Sequence, residues 1–171
     1  IGACVGSYSL LASQQGAKVF SFEPSFLNYT SLVKNISLNG DQKNIKTLPI
    51  GIGDETSVRA ITLSSMRAGA ANHKISDDGN ITVLSYRLDD FVKSFNLPQP
   101  KFIKIDTDGH EAAVISGAEE TLKKASSIIV EIDERDQVSS QIIDFFNKSN
   151  FRITGRFQRG AKPVYNYIFD K

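Results

Sequence analysis

The chain alternates short apolar runs with amphipathic stretches. "AKVFSFEP" (residues 17–24) is an apolar run closed by an acid and a proline, the pattern of a buried strand. Phe26, Tyr29, Val33 and Ile36 then recur at spacings of three and four, one face of a helix that Asn39-Gly40 stops. "IKTLPIGIGD" (45–54) reads as a strand running into a glycine-rich turn. "SVRAITL" and "NITVLSYRL" read as strands, separated by a polar, aperiodic stretch at about 64–79. "DDFVKSFNLPQP" is a short helix and a turn. "FIKID" (102–106) is a strand ended by Asp106. The helix after it has Ala112, Ile115, Ala118 and Leu122 as its buried stripe, and Lys123 and Lys124 complement its C-terminal end. Asp108 and Glu111 have the spacing of a capping box at its start. "SSIIVEID" is another buried strand, and Val138, Ile142, Ile143, Phe145 and Phe146 mark an amphipathic helix over 137–149. "FRITGRF" and "VYNYIFD" close the chain as an antiparallel pair.

This alternation predicts an α/β fold, a doubly wound, mostly parallel sheet with helices on both faces, as a single domain over 1–171. Such sheets bind ligands outside the carboxyl ends of their strands, so the strand ends carry the candidate chemistry.

The first of these regions is "IGACVGSYSLLAS". Gly2 and Gly6 bracket a turn, and a helix follows with Tyr8, Leu11 and Ala12 on its inner side. Glycine lets backbone approach a ligand closely, and a helix start offers N–H groups to an anion. Glu23 ends the next strand, where a carboxylate can accept from both hydroxyls of a ribose. Together these point to a nucleoside cofactor. The dinucleotide pattern G-x-G-x-x-G needs a further glycine, whereas Ala3, Cys4 and Val5 stand between Gly2 and Gly6. The short pattern suits a smaller anion, such as the carboxylate of a methionine moiety. An NAD-linked oxidoreductase on a Rossmann-like sheet is the alternative.

With "VFSFEPSFLNYTSLVKNISLNG", "VLSYRLDDF" and "FIKIDTDGHEAAVISGAEETL…IIVEI" in the same order, the chain resembles the FkbM-type S-adenosylmethionine-dependent methyltransferases over about residues 1–133. The resemblance implies a class I methyltransferase fold, a seven-stranded sheet with a reversed last strand. It implies S-adenosyl-L-methionine as cofactor and O-methylation of a hydroxyl on a sugar, polyketide or related small metabolite. Gly2, Ala3 and Gly6 would form the methionine loop and Glu23 would hold the ribose. Pro24 and Phe26 would border the adenine, and Asp106 would lie beside the methionine amino end and the reacting methyl. Three positions depart from the family. Its Asp before "IGA" is absent, as a truncated N-terminus would make it; Cys4 replaces Asn; and Asp108 replaces the Glu of "DVEG". A degenerate, non-catalytic member that binds a nucleoside or a partner is the further alternative.

Three residues are candidate bases for the acceptor hydroxyl. They are Asp106, His110 and His73, the histidines because their pKa lies near neutrality. Arg67, Asn72 and His73 in the middle loop, with Glu111, are the candidate substrate contacts. No metal site is expected, because side chains at a strand end diverge and the capping box employs Asp108 and Glu111. The chain has only two histidines, and Asp106 with Asp133 is the one conceivable hard-cation pair. A net charge of +1 gives no broad field for nucleic acid or an anionic membrane surface. No apolar stretch approaches the ~20 residues of a membrane span. The single cysteine fits a reducing, cytoplasmic setting. Oligomeric state is not expressed in the sequence.

Overall fold

In the computed structural model, which describes residues 1–62, 69, 74–75, 79 and 81–171, the apolar runs become strands and the three–four-spaced stretches become helices. The elements are α1 (Ser7–Gln14), β1 (Val19–Phe22), α2 (Phe26–Leu38), β2 (Ile45–Leu48), β3 (Gly51–Ile52), β4 (Ser57–Thr62), β5 (Lys74–Ile75) and β6 (Ile81–Tyr86). They continue with α3 (Leu88–Ser94), β7 (Phe102–Ile105), α4 (Glu111–Ser116), α5 (Glu119–Lys124), β8 (Ser127–Asp133), α6 (Ser139–Lys148), β9 (Arg152–Gln158) and β10 (Val164–Asp170). They fall into two compact units: Ile1–Gly51 with Ser57–Ser85, and Ile52–Thr56 with Tyr86–Lys171. No helix among the described residues is long and apolar enough to cross a membrane.

In the first unit β1 and β2 pair in parallel, from Val19 opposite Ile45 to Phe22 opposite Leu48. Leu32 and Ile36 of α2 pack on Ile45, with Ala3, Leu10, Val19 and Tyr29 around them. Both helices are rotated from the face hydropathy selects, although Tyr29 and Ile36 of the expected α2 row still pack in the core. On α2 the buried row is Asn28, Leu32 and Ile36, while Phe26 and Val33 are exposed. On α1 Ser9 and Ser13 are buried, while Tyr8 and Leu11 are exposed. Buried polar side chains with good partners explain the rotation. Ser9 Oγ and Ser21 Oγ share a hydrogen bond of 2.7 Å, and Asn28 Oδ1 accepts the Gly69 N–H at 2.8 Å.

The expected strand over 45–54 is split into β2 and β3 around Pro49, which has no N–H to give a ladder. β3, β6, β4 and β5 form a four-stranded sheet in that order, and β4 runs antiparallel to both β5 and β6. In the second unit the order is β7-β8-β10-β9; β7 and β8 are parallel, and β10 is antiparallel to β8 and β9. The reversed last strand is therefore present. The single seven-stranded, mostly parallel sheet is not: the described strands make three small sheets, and β1 and β7 are edge strands of theirs. β4 runs antiparallel to both of its neighbours, so its sheet departs from the parallel pattern.

Ile105, Val114, Leu122, Ile128, Val130, Phe146 and Phe169 are fully buried in the second unit. Phe146 of α6 stacks on Phe169 of β10 with ring centroids 4.3 Å apart. The helix expected to run on through Leu122 breaks at Gly117 into α4 and α5. Asp89 supplies the reason. Its N–H donates to the Gly117 carbonyl at 3.1 Å, and its carboxylate accepts the N–H groups of Glu120 (3.0 Å) and Thr121 (2.8 Å). A side chain distant in sequence thus caps the start of α5.

Gly117 has a helical φ, so an alanine there would ordinarily be harmless. Here a Cβ would lie 1.8 Å from the Gly53 carbonyl oxygen. Gly117→Ala is expected to destabilise the protein by about 2 kcal/mol or more through overpacking, read as a lower midpoint in urea unfolding.

Candidate functional site

The loop from Gly2 to Gly6 is shaped by backbone strain that its neighbours hold in place. Gly2, Cys4 and Gly6 have φ of 72°, 49° and 95°. The Phe22 carbonyl at the end of β1 accepts the N–H groups of both Gly2 and Ala3 at 3.0 Å. Glu23, buried to 5% exposure, accepts the Cys4 N–H on one carboxylate oxygen (2.8 Å) and the Ser25 N–H on the other (2.9 Å). Asn35 of α2 donates to the Val5 carbonyl at 2.8 Å. Gly6 is required twice over, by its left-handed φ and because a Cβ would stand 2.6 Å from Leu32 Cδ1. The glycine is therefore a packing necessity whatever binds beside it.

Pro24 is half-buried and Phe26 is exposed in the first turn of α2. Gly2, Ala3, Gly6 and Glu23 are brought together around the end of β1. This group fits a nucleoside cofactor by its chemistry: a fixed carboxylate at the strand end, two of whose acceptor positions take the Cys4 and Ser25 N–H groups, and a glycine-bracketed turn that opens a helix.

The second unit carries a separate group at the carboxyl ends of β7 and β8. Asp106 follows the last residue of β7, and the parallel register sets Ile105 opposite Val130, so Asp106 lies level with Glu131. Carboxylate oxygens of Asp106, Asp108 and Glu131 lie within 4.8 Å of one another. Lys104 Nζ pairs with Asp106, and Arg159 Nη1 stands 3.7 Å from Asp106 and 3.4 Å from Glu131. Two cations of the protein thus stand beside three acids, which converge where side chains at a strand end were expected to diverge. Burial first, then the Asp106 carboxylate, push the Glu131 pKa up from 4.5 to about 7, against the pull of Arg159 and Lys104.

Asp133 does not join Asp106. Arg135 donates to it at 2.9 Å and holds its carboxyl down at about 2. The capping box is not formed either. His110, half-buried, occupies the N-cap position of α4, and Asp108 sits two residues earlier with a left-handed φ of 53°. Glu111 is the first helical residue and turns back on the loop. Its buried carboxylate accepts from the Thr107 N–H (2.8 Å), the Thr107 hydroxyl (3.0 Å) and the Gly109 N–H (3.1 Å). That loop is too tight for the three-residue reach of a capping box, and Glu111 acts as its brace. Arg67, Asn72 and His73 lie outside the described residues.

The sequence matches the methyltransferase FkbM domain over residues 1–153. The chain belongs to that family. It is 30% identical over 133 residues to the hexuronic acid methyltransferase AglP of Haloferax volcanii, covering 77% of this chain and 54% of AglP. It is 32% identical over 90 residues to the 2-O-methyltransferase NoeI of Sinorhizobium fredii, covering 50% of this chain and 36% of NoeI. The chain therefore spans about half the length of AglP and less of NoeI. The crystal structure of an FkbM methyltransferase from Methylobacillus flagellatus superimposes with a TM-score of 0.69 at 18% identity, over 99% of this chain and 42% of that one. That likeness is one of fold, the Rossmann-like α/β fold of class I methyltransferases.

In this FkbM domain the residue that sequence reasoning missed is Glu131. Its signal in "IIVEID" is an acid within a buried strand; only the strand register shows that it lies level with Asp106.

Two outcomes follow from the site's geometry. Cys4 has a β-carbon in a left-handed conformation that asparagine tolerates better. Cys4→Asn is expected to raise stability by about 0.5–1 kcal/mol, measured by urea unfolding. Glu131 binds a proton in the folded state that the unfolded chain releases at lower pH, so its contribution weakens stability as pH rises from 4.5 to about 7 and stays unfavourable above. Glu131→Gln is expected to raise the melting temperature at pH 8 and to lose that advantage as pH falls toward 4.5.

Proposed function

We propose that this FkbM domain transfers a methyl group from S-adenosyl-L-methionine to a hydroxyl of a sugar or related small metabolite. The observation that carries the proposal is the buried Glu23 carboxylate, fixed at the end of β1 and bonded to the Cys4 N–H inside the glycine-bracketed loop. In this reading Glu23 takes the ribose hydroxyls. Gly2, Ala3 and Gly6 let the backbone reach the methionine carboxylate, while Pro24 and Phe26 flank the adenine. The names of AglP and NoeI, a hexuronic acid methyltransferase and a 2-O-methyltransferase, support an oxygen acceptor on a sugar.

When bound, the cofactor supplies an electrophilic methyl on a sulfonium, so the protein's share of the work is binding, orientation and proton removal. Glu23 and its loop are anchored before any ligand arrives, so little ordering cost is left for the binding step.

Isothermal titration calorimetry tests the reading. S-adenosylmethionine is expected to bind and NAD to give no heat. Glu23→Gln replaces an acceptor with an amide that is part donor, and should weaken cofactor binding about tenfold or more. Unchanged affinity in that variant, or preference for NAD, would sink the proposal.

A further inference from the structure

Asp106, Asp108 and Glu131 all belong to the second compact unit, near the carboxyl ends of β7 and β8. One carboxylate oxygen from each lies within 4.8 Å of the other two. Acids crowd at many protein surfaces, so the cluster alone assigns nothing. A second observation lies one strand further on. Among the described residues three buried side-chain oxygens have no hydrogen-bond partner: Ser13 Oγ, Ser25 Oγ and Asn166 Oδ1. A serine hydroxyl rotates to suit its surroundings. The Asn166 oxygen is a fixed acceptor in a residue only 8% exposed, and a buried acceptor without a partner is costly.

Strand register places that oxygen beside the acids. Asn166 of β10 is paired directly across from Glu131 of β8, and Asp106 stands level with Glu131 on the other side. Residues opposite one another in an antiparallel pair share a face, with Cβ atoms about 5 Å apart. One row therefore crosses the sheet from Asp106 through Glu131 to Asn166, and Asp108 joins it from the loop after β7. Every oxygen in this group is an acceptor, three ionised carboxylates and one amide carbonyl. Lys104 and Arg159 pair with the acids, and neither reaches the Asn166 oxygen. A bound cation is the one partner that all four acceptors can share.

We propose that Asp106, Asp108, Glu131 and Asn166 Oδ1 bind a divalent cation of calcium size. A donor set made only of oxygens, most of them carboxylate, suits a hard cation rather than zinc or copper. Size narrows the choice. At calcium–oxygen distances of about 2.3–2.6 Å, two ligand oxygens stand up to about 5 Å apart; around magnesium, at about 2.0–2.1 Å, they reach only about 4 Å. Carboxylate oxygens spread over up to 4.8 Å suit the larger ion. Charge agrees with size. Arg159 has a side chain 47% exposed and stands 3.7 Å from Asp106 and 3.4 Å from Glu131, so it is loosely held and can withdraw to solvent. Lys104 and one divalent cation then neutralise the three acids. All four ligands lie in the second unit, so cation binding there does not depend on the methyl-transfer reading.

Isothermal titration calorimetry on chelator-treated protein tests the site, with calcium chloride and magnesium chloride as titrants and no methyl donor. One calcium ion per chain is expected, with a Kd on the order of 10⁻⁴ M, and magnesium at least about tenfold weaker. Asp108→Asn keeps the shape of the side chain and suits its left-handed φ of 53°, so the fold is preserved; calcium affinity should fall about tenfold or more. Asn166→Ala should weaken calcium binding about threefold or more, and Asn166→Asp, which keeps an oxygen at that position, should retain it. Calcium should also raise the melting temperature of the wild type and leave that of Asp108→Asn nearly unchanged. No binding at millimolar calcium, magnesium bound as tightly as calcium, or wild-type affinity in Asp108→Asn or Asn166→Ala would overturn the proposal.

Discussion

A carboxylate that accepts backbone N–H groups is the interaction on which the loops of this domain depend. Glu23 joins the turn before α1 to the start of α2 through Cys4 and Ser25. Glu111 closes the loop between β7 and α4 through Thr107 and Gly109. Asp89 starts α5 through Glu120 and Thr121. Charge-assisted bonds of this kind are roughly twice as strong as neutral ones and fix direction as well as distance. Each loop is short, and each carries left-handed or broken backbone that apolar packing alone would not dictate. The acids supply the missing specification.

The same device explains why the strand ends look crowded with charge. Of the acids between Asp106 and Glu111, Glu111 is turned inward on backbone and Asp106 is turned toward Lys104. What reads as one acidic cluster divides into a loop brace, Glu111, and two acids, Asp106 and Asp108, that meet Glu131 of the adjacent strand. The carboxylate with unusual proton affinity lies on the adjacent strand.

Much of this was legible in the sequence, and the failures share a cause. The run of "AKVFSFEP" and the closing pair "FRITGRF" and "VYNYIFD" became strands as their patterns require, and the last strand is reversed. Helix faces were misread wherever a buried polar residue did the packing, as Ser9 does against Ser21 and Asn28 against Gly69. Hydropathy assigns such residues to solvent, because their partners are distant in sequence. The helix break at Gly117 was hidden for the same reason, since Asp89 lies in another element. The cofactor group was readable because its glycines and Glu23 act through local backbone. Glu131 and Asn166 were not, because only strand register makes them neighbours.

The left-handed Cys4 has a practical side. It is the chain's single cysteine, half-buried in the turn whose next hydrogen bond goes to Glu23. A thiol-directed fluorophore or spin label would enter at this one position, with no background from elsewhere in the domain. The sequence thus carries a ready attachment point for spectroscopy at the loop whose occupancy is of most interest.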